Sequence, residues 1–509
     1  MNTKNLIQEI TYMATKKTSG VYIAEESKSP KGVVEVATAV PAFVGYTEKA
    51  LNEGRSLENR PFRISSLAEF HRYFGGTPKP TFSINENSNQ SDFTINGKSY
   101  ELKQETGNYL LYYNLLMFFN NGGGSCYIVS VGDYETDISE DLLTEGISTL
   151  IKEREPTLLV IPETTLLPNS HASTKVQLAM LDHCGNKMKN RFAILDIYEG
   201  YKERNDPSGD KVAEFRDNIG TNFLDVGAAY YPWINTSIVQ EKDINYLNMA
   251  NKDVLQAILT EELIPQGEEK AKIQSQIEKI TKKDLSPEDQ VKLNENLKAI
   301  SPTFCTILSD IRQKLNLLSP ATCMAGIYTQ VDASRGVWKA PANVSINSAI
   351  SPSVTITDSD QENLNSPLEG KAVNAIRSFV EKGILVLGAR TLDGNSDDWR
   401  YISVRRTCIM LEESIKISSS AYVFEPNDAN TWVTMKTMIS NFLTGIWKSG
   451  GLAGSSPEEA FSVQIGLGQT MTPEDILDGI LRVTVLVAIT RPAEFIEITF
   501  QQEMENLND

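Results

Sequence analysis

The chain holds three histidines, His71, His171 and His183, far apart in sequence. One of them lies in the run Asp182-His183-Cys184, which has the residue types of a cysteine nucleophile with its base. Neighbours on a helix point apart, so adjacency favours a packed or surface histidine over a dyad. The acidic doublets Asp397-Asp398 and Glu412-Glu413 have the chemistry for acid/base work or a hard cation. Adjacent positions on one element rarely converge, and the pairs read as a solvated turn and a helix face.

Gly122-Gly123-Gly124-Ser125 has the composition of a phosphate loop, but such a cradle follows a strand and opens a helix. Here the glycines end a helical stretch and precede a strand, without a lysine, which fits a C-cap and turn. Gly466-Leu467-Gly468 lacks a third glycine and a long helix after it. Cys126, Cys184, Cys305, Cys323 and Cys408 show no CxxC spacing, so neither a zinc site nor a disulfide framework is indicated, and a reducing interior fits. The sequence assigns no catalytic residue, cofactor or metal ligand.

The elements that would position any site belong to a large chain. Its 509 residues, with near-average apolar and charged content, predict a soluble multidomain protein. A net charge of −18 argues against nucleic acid or an anionic membrane as the main partner. Arg405-Arg406 and the lysines around Lys282 are the basic clusters, and both read as solvated faces. The first residues, MNTKNLIQEITYM, have no signal-like apolar run, and the apolar runs at 110–119 and 481–489 fall short of the ~18 residues of a membrane span.

In chain order, residues 1–18 read as an arm and 19–27 as a short strand containing Val21, Tyr22 and Ile23. A buried strand follows at 38–46, then a helix opened by Ser66 with Glu69 and closed by Gly75-Gly76. Residues 77–98 read as a polar loop or small insertion. Helices over 108–120, 141–152, 173–188 and 211–217 then alternate with apolar strands over 126–131, 157–161, 191–197 and 228–233. That alternation predicts a mostly parallel sheet with helices on its faces. Residues 239–300 carry a charged helical hairpin with Ile273, Ile277, Ile280, Leu293, Leu297 and Ile300 as its apolar positions. A Ser/Asn/Asp-rich stretch, 343–365, marks a boundary before the C-terminal part.

Residues 399–500 read as strand, helix, helix, strand, helical turn and two closing strands. The last is half-buried in pattern, with Ile496, Ile498 and Phe500 on one face and Phe495, Glu497 and Thr499 on the other. It needs a sheet edge that the local sequence does not supply. The helix over 430–448 has an apolar stripe (Trp432, Met435, Ile439, Phe442, Ile446) and a polar one (Lys436, Ser440, Thr444, Lys448).

Seven stretches resemble the contractile tail sheath proteins of bacteriophages and phage-tail-like injection systems: SGVYIAEES, TAVPAFVGYTEKA, PATCMAGIYTQVDASRGVWKAPAN, WRYISVRRTCIMLEESI, VFEPNDANTWVTMK, SSPEEAFSVQIG and TMTPEDILDGILRVTVLVAITRPAEFIEITF. They run in the family's order. The resemblance implies a non-enzymatic sheath subunit, assembled in the bacterial cytoplasm into stacked hexameric rings around an inner tube, which contracts to drive the tube through an envelope. Implied partners are other copies of itself, the tube protein, and baseplate and terminal cap proteins.

The fold so implied is mixed, α/β and α+β. A discontinuous core from both termini (19–36 with 367–509) would carry an α/β domain (37–366) inserted between, with variable insertions near 77–98 and 239–300. Residues 1–18 would be an exchanged arm. Val21, Tyr22, Ile23, Phe495, Ile496, Ile498 and Phe500 would pair with neighbouring subunits, and Lys436 and Lys448 would face the tube. Two alternatives stand beside this reading: a type VI secretion-type sheath subunit, and an α/β enzyme using the parallel-sheet crevice.

Overall fold

A computed structural model describes residues 32–87, 91–263, 270–282 and 284–495. Eight strands form one sheet in the order Gly383–Leu387, Asn374–Phe379, Gly227–Tyr231, Phe192–Asp196, Leu158–Val160, Pro41–Gly45, Cys126–Ser130, Phe62–Ile64. The central pairings are parallel, and the two outermost strands run antiparallel to their neighbours. Every residue of the five central strands from Gly227–Tyr231 to Cys126–Ser130 is buried, which requires helices on both faces. Helices Leu111–Asn120, Glu140–Thr149, Ser170–Asp182, Lys211–Asn218 and Ala321–Arg335 are among those that pack on this α/β body. Leu111–Asn120 and Ala321–Arg335 approach so closely that a Cβ at Gly326 would stand 2.5 Å from the Phe118 carbonyl oxygen.

Within 77–98 the small-insertion reading fits better than the loop, since the described residues include two strands. Thr81–Glu86 and Phe93–Ile95 pair with Lys98–Thr106 in a three-stranded antiparallel sheet that buries Phe82, Ile84, Tyr100 and Leu102. Asn and Ser between the apolar positions disguise these strands in the sequence. The helical hairpin is present as Lys270–Ile277 against Pro287–Ile300, and it extends into Pro302–Leu315. Ile277, Ile280, Leu293 and Leu297 are buried.

The boundary expected at 366/367 is displaced. Asn374–Phe379 pairs in parallel with Gly227–Tyr231, and Gly383–Leu387 closes that edge, so these residues complete the large sheet. Their apolar residues, Ala375, Ile376, Ile384 and Val386, belong to the main core, which runs on to Ile402.

A second core starts inside the next helix, Ile402–Ser419, at Met410 and Leu411. It continues in helix Ala429–Lys448, whose buried side is Met435, Met438, Ile439, Leu443 and Ile446. Strands Phe461–Gln464 and Thr484–Val487 pair antiparallel beside it. Val33, Val36 and Trp338 also pack here, so this core draws on three separated stretches. The strand expected from residue 399 is instead an isolated bridge, Arg390 with Tyr401, after which Tyr401 caps a helix. Ile402, Arg406, Ile409 and Met410 are buried at helical rather than strand spacing.

Candidate assembly surfaces

The two cores are joined by a buried ion pair. Arg406, on helix Ile402–Ser419, meets Asp332, on helix Ala321–Arg335, at 2.6 Å, and the side chains are 3% and 5% exposed. Arg406 also donates to the Thr38 carbonyl at 3.0 Å, and the Thr38 hydroxyl donates to Asp332 at 2.6 Å. The guanidinium lies 4.6 Å over the Tyr328 ring, whose hydroxyl hydrogen-bonds Tyr230 in the large sheet. One residue earlier, Arg405 pairs with Asp225 at 2.9 Å and covers Trp399. The solvated-face reading of Arg405-Arg406 is therefore corrected. Helical periodicity held the signal, since Arg406 falls four residues after Ile402 on the apolar side.

The entering chain lies along the same joint. Val36 N–H donates to the Ser414 hydroxyl at 3.1 Å, tying residues next to the N-terminal stretch to the C-terminal helix. Val34, 75% exposed, and Ile417 line the mouth of an adjoining cavity of about 460 Å³.

The C-terminal sheet has two strands, and among the described residues no third strand pairs with either outer edge. Val485 and Val487 pack on the second core, while Thr484 and Leu486 face outward, Leu486 at 57% exposure. Unpaired backbone edges with an exposed apolar residue are a template for a further strand. Helix Ala429–Lys448, capped by Asp428, keeps Lys436 and Lys448 exposed on its outer side. Ser440 and Thr444 of the expected polar stripe are only half-buried.

Beyond Thr484–Val487, Thr490 N–H donates to Gly451 O within the second core. Glu494 is then held by Arg390, Tyr401 and Asn365 of the other body. Burial pushes the Glu494 carboxyl up, but hydrogen bonds from Arg390 and Asn365 outweigh it and hold the group below the usual range. Phe495 is 78% exposed. Val21, Tyr22, Ile23, Ile496, Ile498 and Phe500 lie outside the described residues. Arg390, Glu494 and Asp332 were not legible beforehand, because each is a single charge without a local partner.

The reactive residue types do not assemble. His183 is buried against Arg191, at 2.7 Å, and burial with that positive charge lowers its pKa to about 3. Burial pushes the Cys184 thiol up to about 12, the reverse of an activated pair. At the carboxyl ends of the parallel strands, where α/β enzymes hold ligands, the two buried carboxyls cap helices. Glu163 accepts from Leu111 N–H at 2.8 Å, and Asp196 accepts from Ala321 N–H and the Ser319 hydroxyl, both at 2.8 Å. Burial pushes each to about 7. Gly45 is needed beside Glu163, since a Cβ there would stand 2.6 Å from its carboxylate. Gly122, at φ +89°, follows the end of helix Leu111–Asn120 as a turn. Among the described residues, no group of three or more His, Cys, Asp or Glu could hold a metal ion, and no helix is long and apolar enough to cross a membrane.

Residues 395–503 match the phage tail sheath C-terminal domain family. Over nearly the whole chain, the fold is similar to the sheath of an extracellular contractile injection system, PVC, solved in the contracted state. Identity there is 28%, the TM-score is 0.60, and 96% of this chain and 99% of that one are covered. The C-terminal fifth thus matches a phage tail sheath domain, and the rest of the chain shares its fold with contractile sheath proteins. A contracted helical sheath of the anti-feeding prophage is similar at 26% identity and TM-score 0.59, covering 96% of this chain and 100% of that one. A chain from the anti-feeding prophage baseplate is similar at 27% identity and TM-score 0.58, with coverage of 96% and 100%. A comparison with curated proteins finds no match. These sheath proteins share the large mixed sheet with its surrounding helices.

Proposed function

We propose that this chain is the structural subunit of a contractile sheath. It polymerises as stacked hexameric rings around an inner tube, on baseplate proteins and under a terminal cap, and contracts to drive the tube through a target envelope. The observation that carries this reading is the C-terminal sheet, open at both edges among the described residues, in a chain similar end to end to contractile sheath proteins. In this reading residues 19–27 and 495–500 supply strands to neighbours, and Lys436 and Lys448 meet acidic groups on the tube.

One added strand makes about five backbone hydrogen bonds at a net ~0.5–1.5 kcal/mol each, plus burial of a few apolar side chains. That joint of a few kcal/mol can turn at its linker while subunits slide between an extended and a contracted packing.

Negative-stain microscopy of the protein expressed alone and with its tube protein tests the reading, with striated hollow cylinders as the expected outcome. Removing residues 1–15, or the chain after Arg491, should leave a soluble monomer that makes none. Normal cylinders from either truncation would refute strand exchange. Reversing the charge at Lys436 and Lys448 should weaken co-assembly with the tube, and unchanged co-assembly would remove those residues from the tube interface.

A further inference from the structure

A cleft opens just beyond the carboxyl ends of three neighbouring parallel strands, Leu158–Val160, Phe192–Asp196 and Gly227–Tyr231. The loop after each strand supplies part of its wall: Thr165 after the first, Tyr198, Glu199 and Tyr201 after the second, and Trp233 after the third. Asn108 closes it from the loop before helix Leu111–Asn120, and Lys314 from the last turn of helix Pro302–Leu315. The cavity holds about 470 Å³. That is within the ~300–1,000 Å³ of ligand pockets, and the carboxyl ends of parallel strands are where open α/β sheets hold ligands.

The walls are set in place before any ligand arrives. The Trp233 indole N–H donates to Ile197 O at 2.9 Å, and the Tyr201 ring meets the indole edge to face, with centroids 5.2 Å apart. A Cβ at Gly200 would stand 2.9 Å from the indole, so glycine lets the Tyr201 loop lie against it. On the opposite side, Gly107, at φ +70°, has backbone of Lys79 and Pro80 2.7 Å from where a Cβ would be, which fixes the turn that presents Asn108. Tyr201 is 37% exposed. The Asn108 amide and the Tyr198 hydroxyl have no hydrogen-bond partner among the described residues. Burial pushes the Glu199 carboxyl up, but hydrogen bonds from Lys202 and Lys211 outweigh it and hold the group below the usual range.

We propose that this cleft binds a neutral oligosaccharide. A pyranose has apolar C–H faces and a rim of hydroxyls, so it is held by aromatic rings with hydrogen-bonding groups around them. The cleft has that division, with Tyr201 and Trp233 for the faces and Asn108, Tyr198 and Glu199 for the rim. A sugar hydroxyl donates and accepts at once; the amide and the phenol can do either, and the carboxylate accepts. A phosphorylated ligand fits poorly, because Lys314 is already held by Asp92 at 2.9 Å and the chain carries a net charge of −18. A wholly apolar ligand would leave the Asn108 amide and the Glu199 carboxylate covered and unpaired. A second chamber of about 790 Å³ shares Asn108 and Tyr109 with the cleft and gives the next sugar unit room.

The test titrates the full chain calorimetrically with neutral and N-acetylated trisaccharides and, in parallel, with bacterial envelope polysaccharide. Saturable binding of either supports the site, and the tighter of the two names the source. Tyr201→Ala should weaken that binding by about tenfold, while Tyr201→Phe, which keeps the ring, should hold it within about threefold. Asn108→Ala, at an exposed position, should weaken it by about fivefold at an unchanged melting temperature. Inorganic phosphate should not compete. No binding of either ligand at millimolar sugar overturns the inference, as does binding that both alanine variants leave intact or that inorganic phosphate displaces.

Discussion

The α/β body and the C-terminal core solve the same burial problem in opposite ways. The body wraps five fully buried strands in helices, and even its carboxyls Glu163 and Asp196 are turned inward onto helix ends. The C-terminal core sets helices of 18 and 20 residues near two four-residue strands, with Leu486 and Leu477 left in solvent. A two-stranded sheet is marginal by itself. The body is complete within one chain; in the proposed sheath, strands from neighbours would complete the second core.

The strongest way to break this comparison is at the joint. Arg406→Ala leaves Asp332 buried without its partner and should destabilise the monomer by ~3–5 kcal/mol in denaturant titration, while Arg406→Met with Asp332→Leu should regain much of it. If the single substitution costs nothing, the two cores are not coupled through this pair. Next come paired leucines. Leu159→Ala, at 0% exposure in the body, should cost ~2–5 kcal/mol, whereas Leu486→Ala should stay within ~0.5 kcal/mol in the monomer. Equal losses would mean that the C-terminal sheet is already covered.

The smallest effect concerns pH. Glu163 and Asp196 titrate near 7 in the folded chain, above their unfolded values near 4. A carboxyl with a raised folded pKa contributes stability that is full at acid pH and is lost as pH climbs through that folded value. His183 works the other way, losing stability as pH falls below about 6.5, so the clean window lies above it. Between pH 6.5 and 8 the melting temperature should drift down, and Glu163→Gln with Asp196→Asn should flatten the drift. A drift that persists in the double variant would place its origin elsewhere.

Much of the body could be read from the chain because its instructions are local. Runs such as Ala42-Phe43-Val44 announce two-sided strands, and Ser66 and Ser286 mark helix starts where their side chains accept from the N–H three residues on. What escaped depends on partners far along the chain. Arg406 finds Asp332 across 74 residues and Arg390 finds Glu494 across 104, and no periodicity encodes either meeting. The strands at Asn374–Phe379 and Gly383–Leu387 were assigned to the wrong body for the same reason, since pairing with Gly227–Tyr231 is decided in space. Of the expected inter-subunit strand residues, Phe495 alone falls within the described chain, and it is exposed.

The link from Arg406 through Asp332 and Thr38 has a mechanical consequence. It crosses from one core to the other inside the subunit, where a hinge would otherwise be placed. Opening it would strand charge in an apolar setting, so the cheaper route for a sheath changing length is to keep each subunit stiff and move the contacts between subunits. In the proposed sheath such a subunit would act as a rigid gear tooth on elastic ties, passing work from one ring to the next with little of it lost to internal bending.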